Sequence, residues 1–202
     1  MKRTWCFGLA AWLTTTATIA DPPVGEPPPP ALPENSAGPA PLAIPAVRRT
    51  LAPDFTLEST TGATRRRRNY AGQVMVIIYE DRDATHQNDV LKAELARRAR
   101  ESDLATRVTL LPVADLHAYD FWPAAGFARS AVQDIAHTLG VEVFMDWSGA
   151  MGTAYGFRPG ASHVLVVDRD GGVVFRHDGA IAPAQQAMFF AALAAALQGT
   201  RQ

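Results

Sequence analysis

The stretch Val74-Met75-Val76-Ile77-Ile78-Tyr79-Glu80-Asp81-Arg82-Asp83-Ala84-Thr85-His86 decides the fold. Its first six residues are a near-continuous apolar run, which reads as a strand buried on both faces. Polar residues follow at once, and a helical pattern begins beyond them. Asp83 or Thr85 is placed to cap a helix running to about Glu101, with Val90, Leu91 and Leu95 as its apolar stripe. In an open α/β sheet, ligands gather at the carboxyl ends of the strands. Here that junction is Glu80–His86, and it holds no cysteine.

Downstream, Thr106–Val113 reads as the next strand, so strand, helix and strand form a βαβ unit whose right-handed crossover implies parallel pairing. Ala114–Gly126 is aromatic-rich and without period, and reads as an ordered loop. Val132, Ile135, Ala136 and Leu139 recur at i, i+3, i+4 and i+7, a helix face that Gly140 ends. Val141–Asp146 reads as a short strand and Ser148–Phe157 as a short helix. Val164–Asp168 is another buried-strand run. Arg169-Asp170-Gly171-Gly172 turns the chain into its antiparallel partner, Val173–His177. Pro183 suits the first turn of a last helix carrying Phe189, Leu193 and Leu197. Upstream, Leu51–Leu57 alternates like a short strand, and Thr61-Gly62 reads as a turn. The run Arg65-Arg66-Arg67-Arg68 suits a solvated edge or loop, its stems lying over apolar surface. The order implies an α/β fold, a mixed sheet with helices on both faces.

Composition bounds the function. The chain has 202 residues, a formal net charge of −1 and no basic face to extend the arginine run, so nothing argues for nucleic acid as a partner. Lys2 and Arg3, the apolar segment Trp5–Leu13 and a small residue at Ala20 make residues 1–20 an expected secretory signal, too short in its apolar part to span a bilayer. Removal of that segment leaves 17 basic against 20 acidic residues, a net charge of −3, and takes away Cys6, the single cysteine. Residues 21–49 hold 10 of the 15 prolines and read as a semi-rigid tether rather than a core-forming segment. Residues 50–200 are left as the folded domain. The expected location is periplasmic or secreted, with no stable membrane insertion after cleavage.

Five pieces of sequence, in order, resemble the thioredoxin fold in its redoxin and peroxiredoxin branch, over about residues 51–198. They are Ala52-Pro53-Asp54-Phe55-Thr56-Leu57, Tyr70–Val76, Asp146-Trp147-Ser148-Gly149 with Ala154-Tyr155-Gly156-Phe157, Val164–Asp168, and Asp170-Gly171. Within that fold, Phe127-Ala128-Arg129-Ser130, Ser162, Asp168-Arg169-Asp170-Gly171 and Asp178-Gly179-Ala180 resemble the exported YtfJ-type family, which lacks the redox pair. The resemblance implies a thioredoxin-like mixed sheet and a place in the cell envelope. The chain departs from active redoxins at two points. Their C-x-x-C pair would fall near Asp83 and His86, and their cis-proline nearest Ser162, with Pro159 out of register. Disulfide exchange needs a thiolate attacking sulfur, so thiol oxidoreductase and cysteine-peroxidase activities are not expected.

If the fold follows the resemblance, the junction and the Ser162-His163 turn converge on one face. Asp81, Asp83, His86, Ser162 and His163 are therefore the candidate binding face. Imidazole and carboxylate also suit zinc or copper, but no ligand motif of defined spacing is present. A Ser/His/Asp hydrolase is a further alternative without a nucleophile-elbow pattern. Asp and Ser also favour caps and turns for purely local reasons. His117, His137 and His177 read as structural or exposed, and Trp122 and Trp147 as core or rim. The leading expectation is a non-catalytic binding or scaffold module with a protein or peptide partner in the cell envelope, no cofactor and no metal. The alternative is a metal-binding or hydrolytic protein using Asp83, His86, Ser162 and His163.

Overall fold

The computed structural model describes residues 50–199, so the signal and tether expected at 1–49 lie outside the described residues. Eight strands form one sheet: β1 (Thr50–Leu51), β2 (Thr56–Ser59), β3 (Thr64–Arg66), β4 (Val74–Glu80), β5 (Val108–Asp115), β6 (Phe144–Asp146), β7 (His163–Val167) and β8 (Gly172–Asp178). The helices are α1 (Asp89–Glu101), α2 (Leu104–Arg107), α3 (Ala124–Leu139), α4 (Ala150–Tyr155) and α5 (Pro183–Gln198). Strand order across the sheet is β1-β8-β7-β4-β5-β6-β2-β3. The β4–β5 and β5–β6 pairs are parallel, whereas β4–β7 and β7–β8 are antiparallel.

The apolar run in β4 follows from this placement. The strand lies between β5 and β7 with a layer on each face, so both sets of alternating side chains are buried. Met75, Ile77 and Tyr79 share one face with Leu111, Val113, Leu165 and Val167, under Ala52, Phe55, Leu57, Met151 and Tyr155. Val74, Val76 and Ile78 share the other with Val164 and Val166, under Leu91 and Leu95 of α1 and Phe189, Leu193 and Ala196 of α5. Phe189 meets Phe175 and Phe190 edge-on at centroid distances of 5.5 and 5.0 Å, the arrangement the ring quadrupole prefers. A third cluster joins Val132 and Ala136 of α3 to Leu116, Val143 and Met145.

The β7–β8 turn shows local chemistry fixing a register. Asp168 Oδ1 accepts the amides of Asp170 and Gly172 at 3.0 and 2.8 Å, and Gly171 takes φ +83°, which a side chain would strain.

Several expectations are corrected. Leu51–Leu57 is not one strand. Pro53 interrupts it, and the halves pair at different places, β1 against β8 and β2 between β6 and β3. The first helix begins at Asp89 rather than at Asp83 or Thr85, because a turn held by Asp81 occupies the intervening residues. Val90 faces solvent, outside the buried Leu91–Leu95 stripe. The second strand begins at Val108 and extends to Asp115, and α3 begins at Ala124, well inside the stretch read as a loop. Of the α3 face, only Val132 and Ala136 are buried, whereas Ile135 and Leu139 are exposed. Trp122 is exposed, whereas Trp147 is partly buried and donates to Glu58 Oε2 at 3.1 Å. The arginine run lies on the edge strand β3 and the 3-10 turn after it, where Arg67 donates to Asp54 at 2.8 Å.

Candidate functional site

The strand-to-helix junction is built around Asp81. Its Oδ1 accepts the amides of Asp83 and Ala84 at 3.0 and 2.9 Å, and its backbone carbonyl accepts the Thr85 hydroxyl at 3.0 Å. Its Oδ2 accepts the Gly160 amide at 2.5 Å, which ties the junction to the loop before β7. Gln87 adds a second tie, donating to the Gly160 carbonyl at 2.7 Å and accepting from the Ser162 amide at 3.0 Å. Two loops at the strand ends thus form one unit.

The register of β7 separates Ser162 from His163. Adjacent residues of an extended chain point to opposite faces. Ser162 lies on the α1–α5 face in a buried polar network. It donates to Glu80 Oε1 at 2.7 Å and accepts from Asn88 Nδ2 at 2.8 Å. Asn88 also donates to the Gly179 carbonyl at 3.0 Å and accepts the Ile181 amide at 2.8 Å. Burial pushes the Glu80 carboxyl above its ordinary value, against the opposing pull of the Ser162 hydroxyl and Lys92, whose ammonium lies 3.2 Å from Oε2.

His163 lies on the opposite face, fully buried and stacked on Phe157 at a centroid distance of 4.4 Å. Its Nδ1 bonds Asp178 Oδ1 at 2.8 Å, and its Nε2 meets the backbone amide of Arg158 at 3.0 Å. Burial raises Asp178, but the bonds from His163 and Arg176 outweigh it, and its pKa lies below the ordinary carboxylate value.

Among the five candidates, the structure therefore joins Asp81 to the loop before Ser162 and splits Ser162 from His163. Asp83 is exposed, and His86 is 88% exposed at the side chain, bonded to Asp89 at 2.9 Å. Among the described residues, no group of three or more His, Cys, Asp or Glu side chains is placed to hold a metal ion.

A cleft of about 210 Å³ opens at the carboxyl ends of β4 and β5, lined by Tyr79, Asp81, Asp115, His117, Phe157 and Arg158 together with the first turn of α4 and the loop before β7. Tyr79 reaches it from β4 and donates to Asp146 Oδ2 at 3.2 Å. The same oxygen accepts the Met151 and Gly152 amides at 2.9 and 3.2 Å, so Asp146 fixes the tyrosine and the start of α4 together. Burial and the carboxylates of Asp115 and Asp146 push the Tyr79 phenol far above its usual value, so it stays a neutral donor. Asp115, the last residue of β5, holds His117 Nδ1 at 2.7 Å. The bond and charge of Asp115 raise the His117 pKa, with smaller contributions from Asp146 and Asp81. The cleft wall thus joins two carboxylates, a guanidinium and an imidazole to two aromatic rings. The sequence pattern places His117 among the structural or exposed histidines and leaves Asp115 out of the site, because the apolar run of β5 stops at Val113 while the strand continues to Asp115. Extended to Asp115, the strand would have placed Asp-x-His at a strand terminus, the position where ligands gather.

No protein-family model matches the chain, and no curated protein does. Solved structures match its fold. An uncharacterized conserved protein from Geobacillus kaustophilus shares 21% identity, covering 75% of this chain and 82% of its own, with a TM-score of 0.57. A putative thiol:disulfide interchange protein DsbE from Chlorobium tepidum shares 18%, covering 74% and 96%, at 0.55. A putative thioredoxin from Neisseria meningitidis shares 18%, covering 74% and 91%, at 0.53. The fold is thioredoxin-like, a mixed sheet flanked by helices.

Proposed function

We propose that the domain is a thiol-independent binding module of the cell envelope, whose cleft at the ends of β4 and β5 takes a peptide segment carrying a basic side chain. The observation that carries this is what occupies the strand-to-helix junction. Where redoxin relatives place a cysteine pair, near Asp83 and His86, this chain has no cysteine, and its single cysteine, Cys6, lies outside the described residues. The junction is closed by carboxylate-to-amide bonds that need no sulfur. Beside it, the carboxylates of Asp81 and Asp115 share the cleft with the His117 imidazole and the Arg158 guanidinium, and Tyr79 and Phe157 give it aromatic walls. The Asp81 and Asp115 carboxylates attract ammonium or guanidinium groups, and an aromatic wall receives their apolar stems.

The resemblance of Phe127–Ser130, Asp168–Gly171 and Asp178–Ala180 to the YtfJ-type family, and the basic and apolar character of residues 2–13, support an exported, periplasmic setting. Among the described residues, no helix is long and apolar enough to cross a membrane.

Fluorescence anisotropy with a labelled lysine-containing peptide and its glutamate counterpart tests the proposal. The basic peptide should bind, the acidic one should not, and Asp115→Asn should weaken binding about tenfold, the ~1.4 kcal/mol of one charge-assisted contact. Equal affinity for both peptides overturns the proposed ligand class. Reduction of insulin disulfides by the purified chain overturns thiol independence.

A further inference from the structure

We infer that the outer face of α3 is a homodimer interface, with a second copy of this chain as its occupant. The helix has two apolar faces. Ala128, Val132 and Ala136 turn inward onto the sheet. Phe127, Ala131, Ile135 and Leu139 recur at intervals of four and form one ridge along the outside. Phe127 is 76% exposed, Ile135 47% and Leu139 65%. At the N-terminal end of the ridge lie Phe121 at 60% and Trp122 at 91% exposure.

Soluble monomers seldom leave such a run uncovered, since contiguous exposed apolar patches rarely exceed a few hundred Å². These five side chains present on the order of 700 Å². A standard interface takes about 800 Å² from each partner, so the patch has the size that one copy contributes to a stable dimer.

Its sequence is also self-complementary. A two-fold axis beside Ala131 sets Phe127 of one protomer against Ile135 of its partner. Large residues meet medium ones on both sides of a small centre. Ridges of the i±4 type pack into each other at a crossing angle near −50°, and a small central residue lets the axes approach to about 8 Å. Isologous contacts of this kind close after two copies. The charges of α3 fit a protein partner better than a lipid surface. Arg129 is turned back to Glu58, with Nη2 at 3.0 Å from Oε2, leaving Asp134 and His137 beside the ridge and no lysine on the helix. A membrane-binding helix would carry cations there.

Sedimentation equilibrium of the full chain is the test. The expected mass at about 100 μM is twice the chain's 21.7 kDa. Phe127→Glu, at a side chain already mostly in water, should weaken association at least tenfold while leaving the melting temperature of the dilute protein unchanged. Register is read independently with Ala131→Cys in a Cys6→Ser background. Diamide oxidation, which takes two electrons and two protons from a thiol pair, should link two copies by a disulfide across the axis. A chain that stays monomeric at about 100 μM overturns the inference. So does a dimer that survives both Phe127→Glu and Leu139→Lys, because another surface then holds it.

Discussion

Asn88→Ala should be among the most damaging single-atom-group deletions outside the apolar core. Asn88 is 2% exposed and ties three segments together: the Ser162 hydroxyl before β7, the Gly179 carbonyl after β8 and the Ile181 amide before α5. Truncation leaves a carbonyl and an amide without partners in a part-buried region. Each lost bond of this kind costs about 1–1.5 kcal/mol. The Ser162 hydroxyl loses one partner but still donates to Glu80, so its share is smaller. Together these give about 3 kcal/mol. Helix capping adds nothing, because Asn88 stands at the N-cap of α1 without bonding its amides. Urea unfolding should show a midpoint lowered by about 1–2 M at unchanged slope. His86→Ala is the control. That residue lies two positions away with an 88% exposed side chain, and its surface pair with Asp89 contributes well under 1 kcal/mol. Equal losses in the two variants, or a loss below about 1 kcal/mol for Asn88→Ala, would refute this role of Asn88.

Other outcomes can be checked with the same protein. Leu165→Asp, at a side chain 1% exposed in β7, should abolish cooperative folding, since it buries an unpaired carboxylate, and a cooperatively melting variant would contradict that placement. The His117 proton resonances should titrate above the ordinary histidine value, and Asp115→Asn should bring the titration down. A raised folded value means that this pair contributes stability fully present below the unfolded histidine pKa of ~6.5 and lost as pH rises through the folded one, by a small amount because the imidazole is half exposed. Gly152→Ala would put a Cβ 2.7 Å from the Tyr79 hydroxyl, an overlap worth about 1–3 kcal/mol. In a Tyr79→Phe background the same change should cost less, and equal costs in the two backgrounds would dismiss the clash.

How much of this was legible follows from how each signal arises. β4 and β7 were readable because burial on both faces leaves a contiguous apolar run, and their neighbours followed from the βαβ and hairpin patterns. The α3 period was readable too, but a period does not say which of two apolar ridges is covered. Ile135 and Leu139 were therefore placed inside, although only Val132 and Ala136 are. At the junction, the residue types suggest a helix cap at Asp83 or Thr85, and neither caps one: a nearby carboxylate, Asp81, instead holds the amides of a turn, and the helix opens at Asp89. Ser162 and His163 looked like neighbours in one site because they adjoin in sequence. Strand geometry makes adjacency the reason they face apart.

That separation bears on what the cleft can do. The polar groups of the α1–α5 face, Glu80, Asn88, Lys92 and Ser162, are consumed by one another and hold α1, β7 and the β8–α5 loop in place. His163 is likewise committed to Asp178 and Arg158. A serine whose hydroxyl already donates to the Glu80 carboxylate and accepts from an amide, with the buried histidine on the far side of the sheet, has no imidazole within reach, so Ser162 and His163 do not form a nucleophile–base pair. The cleft wall is made instead by Tyr79, Asp115 and His117, of which His117 is half exposed, held by Asp146 and the end of β5. The proposed ligand of that wall is a basic side chain, which is why the peptide's charge is the variable that the binding experiment changes first.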